Sequence, residues 1–374
     1  MAMKFKKIIG FIHLWLGLVS GLLVLFLGLT GCMLVFQREI ETVTNPFQYI
    51  KERSGTDMLP SALKTIAEKQ LPGKHPHSIL YQEGKAAQAI FYGDEYYDIV
   101  YIHPYTGAVQ KVKNMNRDFF RIVIGGHYNL WLPVSIGQPI IASATLVFLF
   151  MMISGIVLWW PKNKAARKQR FKIKLNARWR RKNYDLHNVL GFYMSWIAIF
   201  IAISGLVMGF QWFAKSFYYA TSGGKQMTPY YESVSKKTKQ SDTTFSAADA
   251  VYAKMRAFYP DRSTSIEIHF PVSDTSAIEG AANPDPGTYW RADYRYFDQY
   301  SLKEIDVTHP YGRFAGAKTA DKIVRMNYDV HVGSIGGLPT KILAFCASLV
   351  AASLPVTGFL IWWGRRKKAV STSV

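Results

Sequence analysis

Four stretches of this chain are apolar for long enough to cross a lipid bilayer, and that restricts the fold more than any other feature. They run near 8–36, 138–160, 186–213 and 339–363. A hydrocarbon core of roughly 30 Å takes about 20 residues of helix. In lipid every backbone N–H and C=O must be satisfied within the segment, so each stretch reads as a transmembrane helix. The intervals 37–137 and 214–338 are polar and rich in turns, and each is long enough for a folded module. At 49% hydrophobic residues, with 23 Phe, 22 Tyr and 10 Trp, the chain is too apolar and aromatic for disorder.

The formal net charge of +20 invites a nucleic-acid reading, but the cations are not spread as such a surface needs. Residues 161–182, PKNKAARKQRFKIKLNARWRRK, hold eleven Lys and Arg and no acid. Lys4, Lys6 and Lys7 begin the chain, and Arg365, Arg366, Lys367 and Lys368 follow the last apolar run. With four crossings all three clusters fall on one side. The positive-inside rule makes that side the cytoplasm and puts both large intervals outside, so no nucleic-acid partner is expected. Leu29-Thr30-Gly31-Cys32 resembles a lipoprotein cleavage box, but the apolar run is near thirty residues and continues past Cys32, so an uncleaved helix is expected. The two cysteines, Cys32 and Cys346, both lie in apolar runs and read as packing residues. No CxxCH is present to attach haem covalently.

The four runs are related in pairs. His13 is followed by Gly17 and Thr30-Gly31, and His187 by Gly191 and Ser204-Gly205, at offsets +4, +17 and +18 in both. At 3.6 residues per turn these positions share one helix face, and the small residues Gly21 and Ser195 lie near it. Ser154-Gly155 precedes Trp159-Trp160 as Thr357-Gly358 precedes Trp362-Trp363, and a histidine stands ahead of each, His127 and His331. The chain therefore reads as two pseudo-symmetric repeats, related by an axis along the membrane normal because both run the same way. Each interval reads as a small α+β module. A helix at 61–72 precedes strands in HSILYQ, AAQAIFYG, YYDIVYIHP and AVQKV. A helix at 245–260 precedes strands in STSIEIHF, TYWRADYRYF and LKEIDV.

Five of the nine histidines (75, 77, 103, 269 and 309) fall in these modules and read as ordinary surface or strand-end residues. The other four are costly where they stand, since an ionisable side chain in a membrane segment calls for a partner. His13 lies roughly 12 Å along the helix from Phe5, at 1.5 Å per residue. Repeat symmetry pairs it with His187 near the cytoplasmic face. His127 and His331 pair near the other face, in interfacial segments whose glycines, Gly125-Gly126 and Gly333, read as open packing. From His331 to Trp363 would be about 48 Å of straight helix, so GSIGGLP is expected to break it. Zinc takes four protein ligands, or three with an open position. Haem iron takes two axial ligands, and its flat macrocycle needs small neighbours, which Gly17, Gly21, Gly191 and Ser195 supply. The competing reading has the glycines merely bring helices close, with the histidines hydrogen-bonded across. That accounts for one histidine but not for two matched pairs at two depths. Two bis-histidine haems, one near each face, would form a transmembrane electron path. Arg117, Arg121 and Arg325 lie close in sequence to the second pair and read either as partners of haem propionates or as snorkelling anchors.

The helices ending in Thr30-Gly31, Ser154-Gly155, Ser204-Gly205 and Thr357-Gly358, the Trp pairs, the Leu186-His187 start and the TGAV turn at 106–109 resemble the PepSY-associated transmembrane family. Its members are often called iron-regulated membrane proteins. The resemblance covers nearly the whole chain, and extends to the FoxB-type siderophore-iron reductases of the bacterial inner membrane. It implies two non-covalent haem b groups with His13, His187, His127 and His331 as axial ligands. It also implies a ferric siderophore as periplasmic acceptor. No nucleotide-binding segment follows Arg366, so the electron donor is expected to be membrane quinol or a separate cytoplasmic reductase.

The expected class is thus an α-helical membrane protein with four transmembrane helices and two small α+β, PepSY-like periplasmic modules. Helix 1 is expected at 5–36, module 1 at 37–115, an interfacial segment with helix 2 at 116–160, and the basic cytoplasmic loop at 161–183. Helix 3 follows at 184–213, module 2 at 214–320, an interfacial segment with helix 4 at 321–364, and a cytoplasmic tail at 365–374. The expected activity is ferric-siderophore reduction. Haem b electron transfer to another periplasmic acceptor is an alternative. So is a non-enzymatic, membrane-anchored binding or regulatory protein, though it leaves the matched histidines unexplained. A permease fits poorly, because no intramembrane acid or Pro-broken pair of helices offers a path.

Overall fold

A computed structural model of the chain describes residues 2–51, 55–161, 163–164, 167, 170–236 and 246–371. Lys162 and Lys168 of the basic loop, and Phe245 at the start of the second predicted module helix, lie outside these residues, as do the side chains of Lys4 and of Arg366, Lys367 and Lys368. In chain order the elements are α1 Ala2–Val35, α2 Gln37–Thr44, α3 Pro60–Gln70, β1 Ser78–Tyr81, β2 Ala87–Tyr92, β3 Tyr97–Ile102, β4 Val109–Asn114, α4 Phe119–Asn129 and α5 Val134–Trp159. Then come α6 Trp179–Gly209, α7 Gln211–Thr221, α8 Ala247–Phe258, β5 Ser265–His269, β6 Ile278–Asn283, β7 Asp293–Phe297, β8 Glu304–Ile305, α9 Thr319–His331 and α10 Leu338–Ser371.

The chain divides into a helical unit (Met1–Gln37, Val123–Ala214 and Tyr328–Val374) and a sheet unit (Arg38–Ile122 and Lys215–Asn327). In the helical unit α1, α5, α6 and α10 are each long and apolar enough to cross a membrane. Val19 and Leu22 of α1 are 81% and 78% exposed. Side chains of that kind cost about 25 cal/mol per Å² in water and nothing in hydrocarbon, so this face belongs against lipid. Lipid tails give apolar side chains no reason to seek each other, and close approach of small residues holds such helices together instead. A β-carbon on Gly28 of α1 would stand 2.8 Å from the Cβ of Ala352 in α10, and one on Gly209 of α6 would stand 2.8 Å from the Cβ of Ala142 in α5.

Three turns depart from or sharpen the expectation. α6 ends at Gly209 rather than near 213, because Phe210 is extended (φ −128°, ψ 121°) and starts a new direction. The break ahead of α10 is present: Gly333 (φ 75°) and Gly337 (φ 68°) take the left-handed backbone that side chains resist. The open packing expected around the glycines is not found. Trp131 folds back on α4, so that a β-carbon on Gly126 would meet its ring at 2.5 Å, and one on Gly333 would meet the Cβ of Ala344 at 2.8 Å. Leu130 and Trp131 both hold φ 57° in this turn, and Asn129 Nδ2 donates to the Leu132 carbonyl at 2.7 Å.

The two predicted modules are one domain in the structure. Their strands form a single antiparallel sheet in the order β4-β3-β2-β1-β5-β6-β7-β8. The join is β1 against β5, from Ser78 opposite His269 to Tyr81 opposite Ile266. Alternate residues turn to one face, as a strand's period of two requires: Ala87, Ala89 and Phe91 of β2 are buried while Gln88 and Ile90 are not fully so. That face carries α3 and α8, whose Leu63, Val251 and Met255 share one core with Ile79, Phe91, Ile268 and Phe297. Asp249 of α8 accepts the Ser61 N–H at 2.8 Å, capping the start of α3 from the other half. β6 was not expected from the sequence. Its sequence is IEGAAN, with a glycine at 280 where a β-carbon would stand 2.8 Å from Met255 Cγ. β7 begins at Asp293, later than the run from Thr288 suggested.

Ile79 is fully buried in the strand that carries both ladders. Ile79→Ala is expected to cost about 2–5 kcal/mol, read as a lowered thermal midpoint of the detergent-solubilised chain. A midpoint equal to wild type would contradict the shared core.

Candidate functional site

The four membrane histidines are each held by a hydroxyl from another helix. His127 of α4 places Nδ1 2.8 Å from Thr30 Oγ1 of α1. His331, the last residue of α9, places Nδ1 3.1 Å from Ser204 Oγ and 3.0 Å from the Ile201 carbonyl, both in α6. His13 of α1 places Nδ1 2.8 Å from Ser154 Oγ of α5. His187 places Nδ1 2.9 Å from Thr357 Oγ1 of α10. His187 lies in a π-helical turn, Leu186–Leu190, within α6. Such a turn carries one extra residue and is frequent at functional sites.

The glycine after each hydroxyl residue lies under the imidazole. A β-carbon would come within 3.7 Å of His127 Cε1 at Gly31, 3.4 Å of His13 Cε1 at Gly155, 3.2 Å of His331 Cε1 at Gly205 and 3.1 Å of His187 Cε1 at Gly358. In the sequence these Ser/Thr-Gly pairs mark a repeat, and only the fold brings them to the histidines as partners. Their fourfold recurrence was the available signal.

His127 and His331 face each other, with ring centres 6.2 Å apart and planes at 63°. No hydrogen bond joins the two rings, whose Nδ1 atoms are engaged by other helices, and the spacing of their centres can be compared with that of two imidazoles on one metal. Imidazole nitrogens bond metals at about 2.0 Å and a ring centre lies about 1.2 Å behind its nitrogen, so a metal between two rings separates the centres by roughly 6.4 Å. Both histidines line an apolar cavity with Gly28, Gly31, Gly205 and Ala351. Small residues beside two facing imidazoles are what a flat macrocycle needs. His13 and His187 are held in the same manner, by Ser154 and Thr357. Among the described residues no three His, Cys, Asp or Glu side chains converge as a bare metal ion would need. Of the membrane histidines, His127 and His331 lie against each other.

Other expected site residues are placed differently. Gly17 and Gly191, expected beside His13 and His187, lie outside the lining of the His127/His331 cavity. A β-carbon on Gly17 would meet Met151 Cε at 2.8 Å and one on Gly191 would meet Leu354 Cδ2 at 3.2 Å, so both glycines receive side chains of neighbouring helices. Arg325 is buried in the sheet unit, where its guanidinium donates to the carbonyls of Pro310 (2.7 Å), Ala292 (2.9 Å) and Gly312 (2.6 Å). These bonds hold a loop and engage all three guanidinium nitrogens within the sheet unit. Arg121 lies over the Tyr97 ring at 5.2 Å. Among the described residues no Lys or Arg lines the cavity, and its polar lining includes Tyr128 and Gln138, with Gln138 Nε2 donating to the Tyr128 hydroxyl at 2.6 Å. In the sheet unit His309 packs among Tyr230, Tyr231 and Tyr296. Burial, then the Arg325 charge, keeps it below the ordinary imidazole range, as suits a packing residue.

No curated protein matches this chain. The sequence model of the PepSY-associated TM region matches residues 11–365, a span that holds all four membrane histidines and all four Ser/Thr-Gly pairs. With four helices fit to cross a membrane, the chain is a multi-pass membrane protein and belongs to the PepSY-associated TM region family.

Proposed function

We propose that this chain is a di-haem reductase of the bacterial inner membrane that passes electrons outward to a ferric siderophore in the periplasm and releases Fe(II). The observation that carries the reading is the facing of His127 and His331 inside a membrane helix bundle, at the spacing of two axial ligands, together with the like-held His13 and His187. The basic segments support a topology with both termini in the cytoplasm and the sheet unit in the periplasm. The paired contacts support a two-repeat architecture: Gly17 meets Met151 as Gly191 meets Leu354, at matching positions of the two halves.

Haem b at each pair would supply one-electron chemistry, and Fe(III) held by hard siderophore oxygens is released once it gains that electron. The chain's own residues hold and isolate the group. The four hydroxyls orient the imidazoles, and the glycines leave room beside them. The siderophore as acceptor follows the resemblance to iron-regulated reductases. The donor is quinol or a separate reductase on the cytoplasmic side.

Purified protein is expected to be red, with a reduced low-spin b-type spectrum and about two haems per chain by pyridine haemochrome, as two bis-histidine sites require. A colourless preparation from haem-replete cells would sink the reading and favour a membrane-anchored binding protein.

A further inference from the structure

A serine or threonine hydroxyl has one hydrogen to give and two lone pairs with which to accept. At all four seats the hydroxyl also has a carbonyl of its own helix in hydrogen-bond reach, and since a carbonyl can only accept, the hydrogen is assigned there. Thr30 Oγ1 donates to the Phe26 carbonyl at 2.8 Å and Ser154 Oγ to Met151 at 3.0 Å. Ser204 Oγ donates to Ile201 at 2.8 Å and Thr357 Oγ1 to Ser353 at 2.9 Å. With its hydrogen spent, each hydroxyl meets the histidine as an acceptor. Nδ1 must then carry the imidazole proton, and Nε2 keeps its lone pair. His331 gives the same answer independently, because the Ile201 carbonyl 3.0 Å from its Nδ1 can only accept. Tautomers follow from partners in this way.

We infer that Thr30, Ser154, Ser204 and Thr357 are positioning residues that lock the four histidines in the tautomer with Nε2 bare and turned away from the seat. The following glycine sets how close the ring lies to the helix. A partner on the non-ligating nitrogen fixes ring orientation and raises the basicity of the ligating one. A hydroxyl that itself donates to a carbonyl is a strengthened acceptor. Losing it should weaken the imidazole as a donor to ferric iron and raise the midpoint potential of the haem it holds. The tautomer lock stands on the hydrogen bonds alone; its effect on haem rests on the proposed function.

The test uses the full-length chain labelled with 15N-histidine, as wild type, Thr30→Val (the same shape without the acceptor) and Thr30→Ser (acceptor restored). In haem-free wild type the membrane histidines are expected to be protonated at Nδ1, and Thr30→Val should convert one of them to the Nε2-protonated form. In loaded protein Thr30→Val should release one of two haems to an apo-globin about 10- to 100-fold faster, with a higher potential for that haem alone. Thr30→Ser should stay near wild type. Wild-type histidines protonated at Nε2 would overturn the lock whether or not haem binds. So would a Thr30→Val protein with wild-type tautomers, release rate and potentials. A chain with Nδ1-protonated histidines that takes up no haem would support the lock and refute the haem reading.

Discussion

Replacing His331 by alanine is expected to abolish reduction of an external ferric hydroxamate while leaving one haem in place and reducible. His331 and His127 face each other at 6.2 Å, and each is held by a different helix, through Ser204 and Thr30. On the proposed haem reading, loss of one ring would leave the group one protein ligand in this cavity and lower its retention. The other pair is held by separate hydroxyls, Ser154 and Thr357, and shares none of these contacts. The experiment uses right-side-out proteoliposomes reduced from within and a ferric hydroxamate too large and polar to enter the bilayer. Haem content should fall from about two to about one per chain, with Fe(II) formation outside lost. A His331→Ala protein that reduces the external chelate at the wild-type rate would refute the route. If His13→Ala and His331→Ala removed the same haem, the pairing would be wrong.

On the same reading, Gly358→Val is expected to remove the haem proposed at His187. A β-carbon there already stands 3.1 Å from His187 Cε1 and 3.6 Å from Nδ1. A valine adds two methyl groups in a helix, where its side-chain rotation is restricted. The imidazole must leave the Thr357 hydroxyl, or the helices must part. The effect should be graded by the room at each seat. Gly31→Ala, with 3.7 Å to His127 Cε1, makes ordinary contact and should keep both haems. Haem per chain and the reduced spectrum read the series, with a monodisperse elution profile to show that each variant is folded. A Gly358→Val protein carrying two haems with wild-type spectra would remove the glycine from the site.

Much of the helical unit was legible along the chain, because lipid imposes length and composition locally: about 20 apolar residues for each crossing. The break before α10 was legible for the same reason, since Gly333 and Gly337 supply a backbone that other residues resist. The histidines stood out because an imidazole in such a segment is costly without a partner. In the sheet unit, strands with a period of two were found. β6 was missed because its Gly280 answers to Met255 on another element rather than to its own strand.

What the tertiary structure alone decided is who partners whom. His127 and Thr30 are 97 residues apart in the chain, His331 and Ser204 127, His13 and Ser154 141, and His187 and Thr357 170. Arg325 looked like a propionate partner by its closeness to His331 in sequence, and three carbonyls of the sheet unit claim it instead. Gly17 and Gly191 looked like room for a cofactor, and each lies against a side chain of a neighbouring helix, Met151 and Leu354. Two modules became one sheet through the pairing of β1 with β5. Helix length and strand alternation are set by neighbours in the chain, so a sequence carries them openly. A hydrogen bond or a filled gap is set by whichever distant helix or strand packs alongside, and that is fixed only when the chain folds.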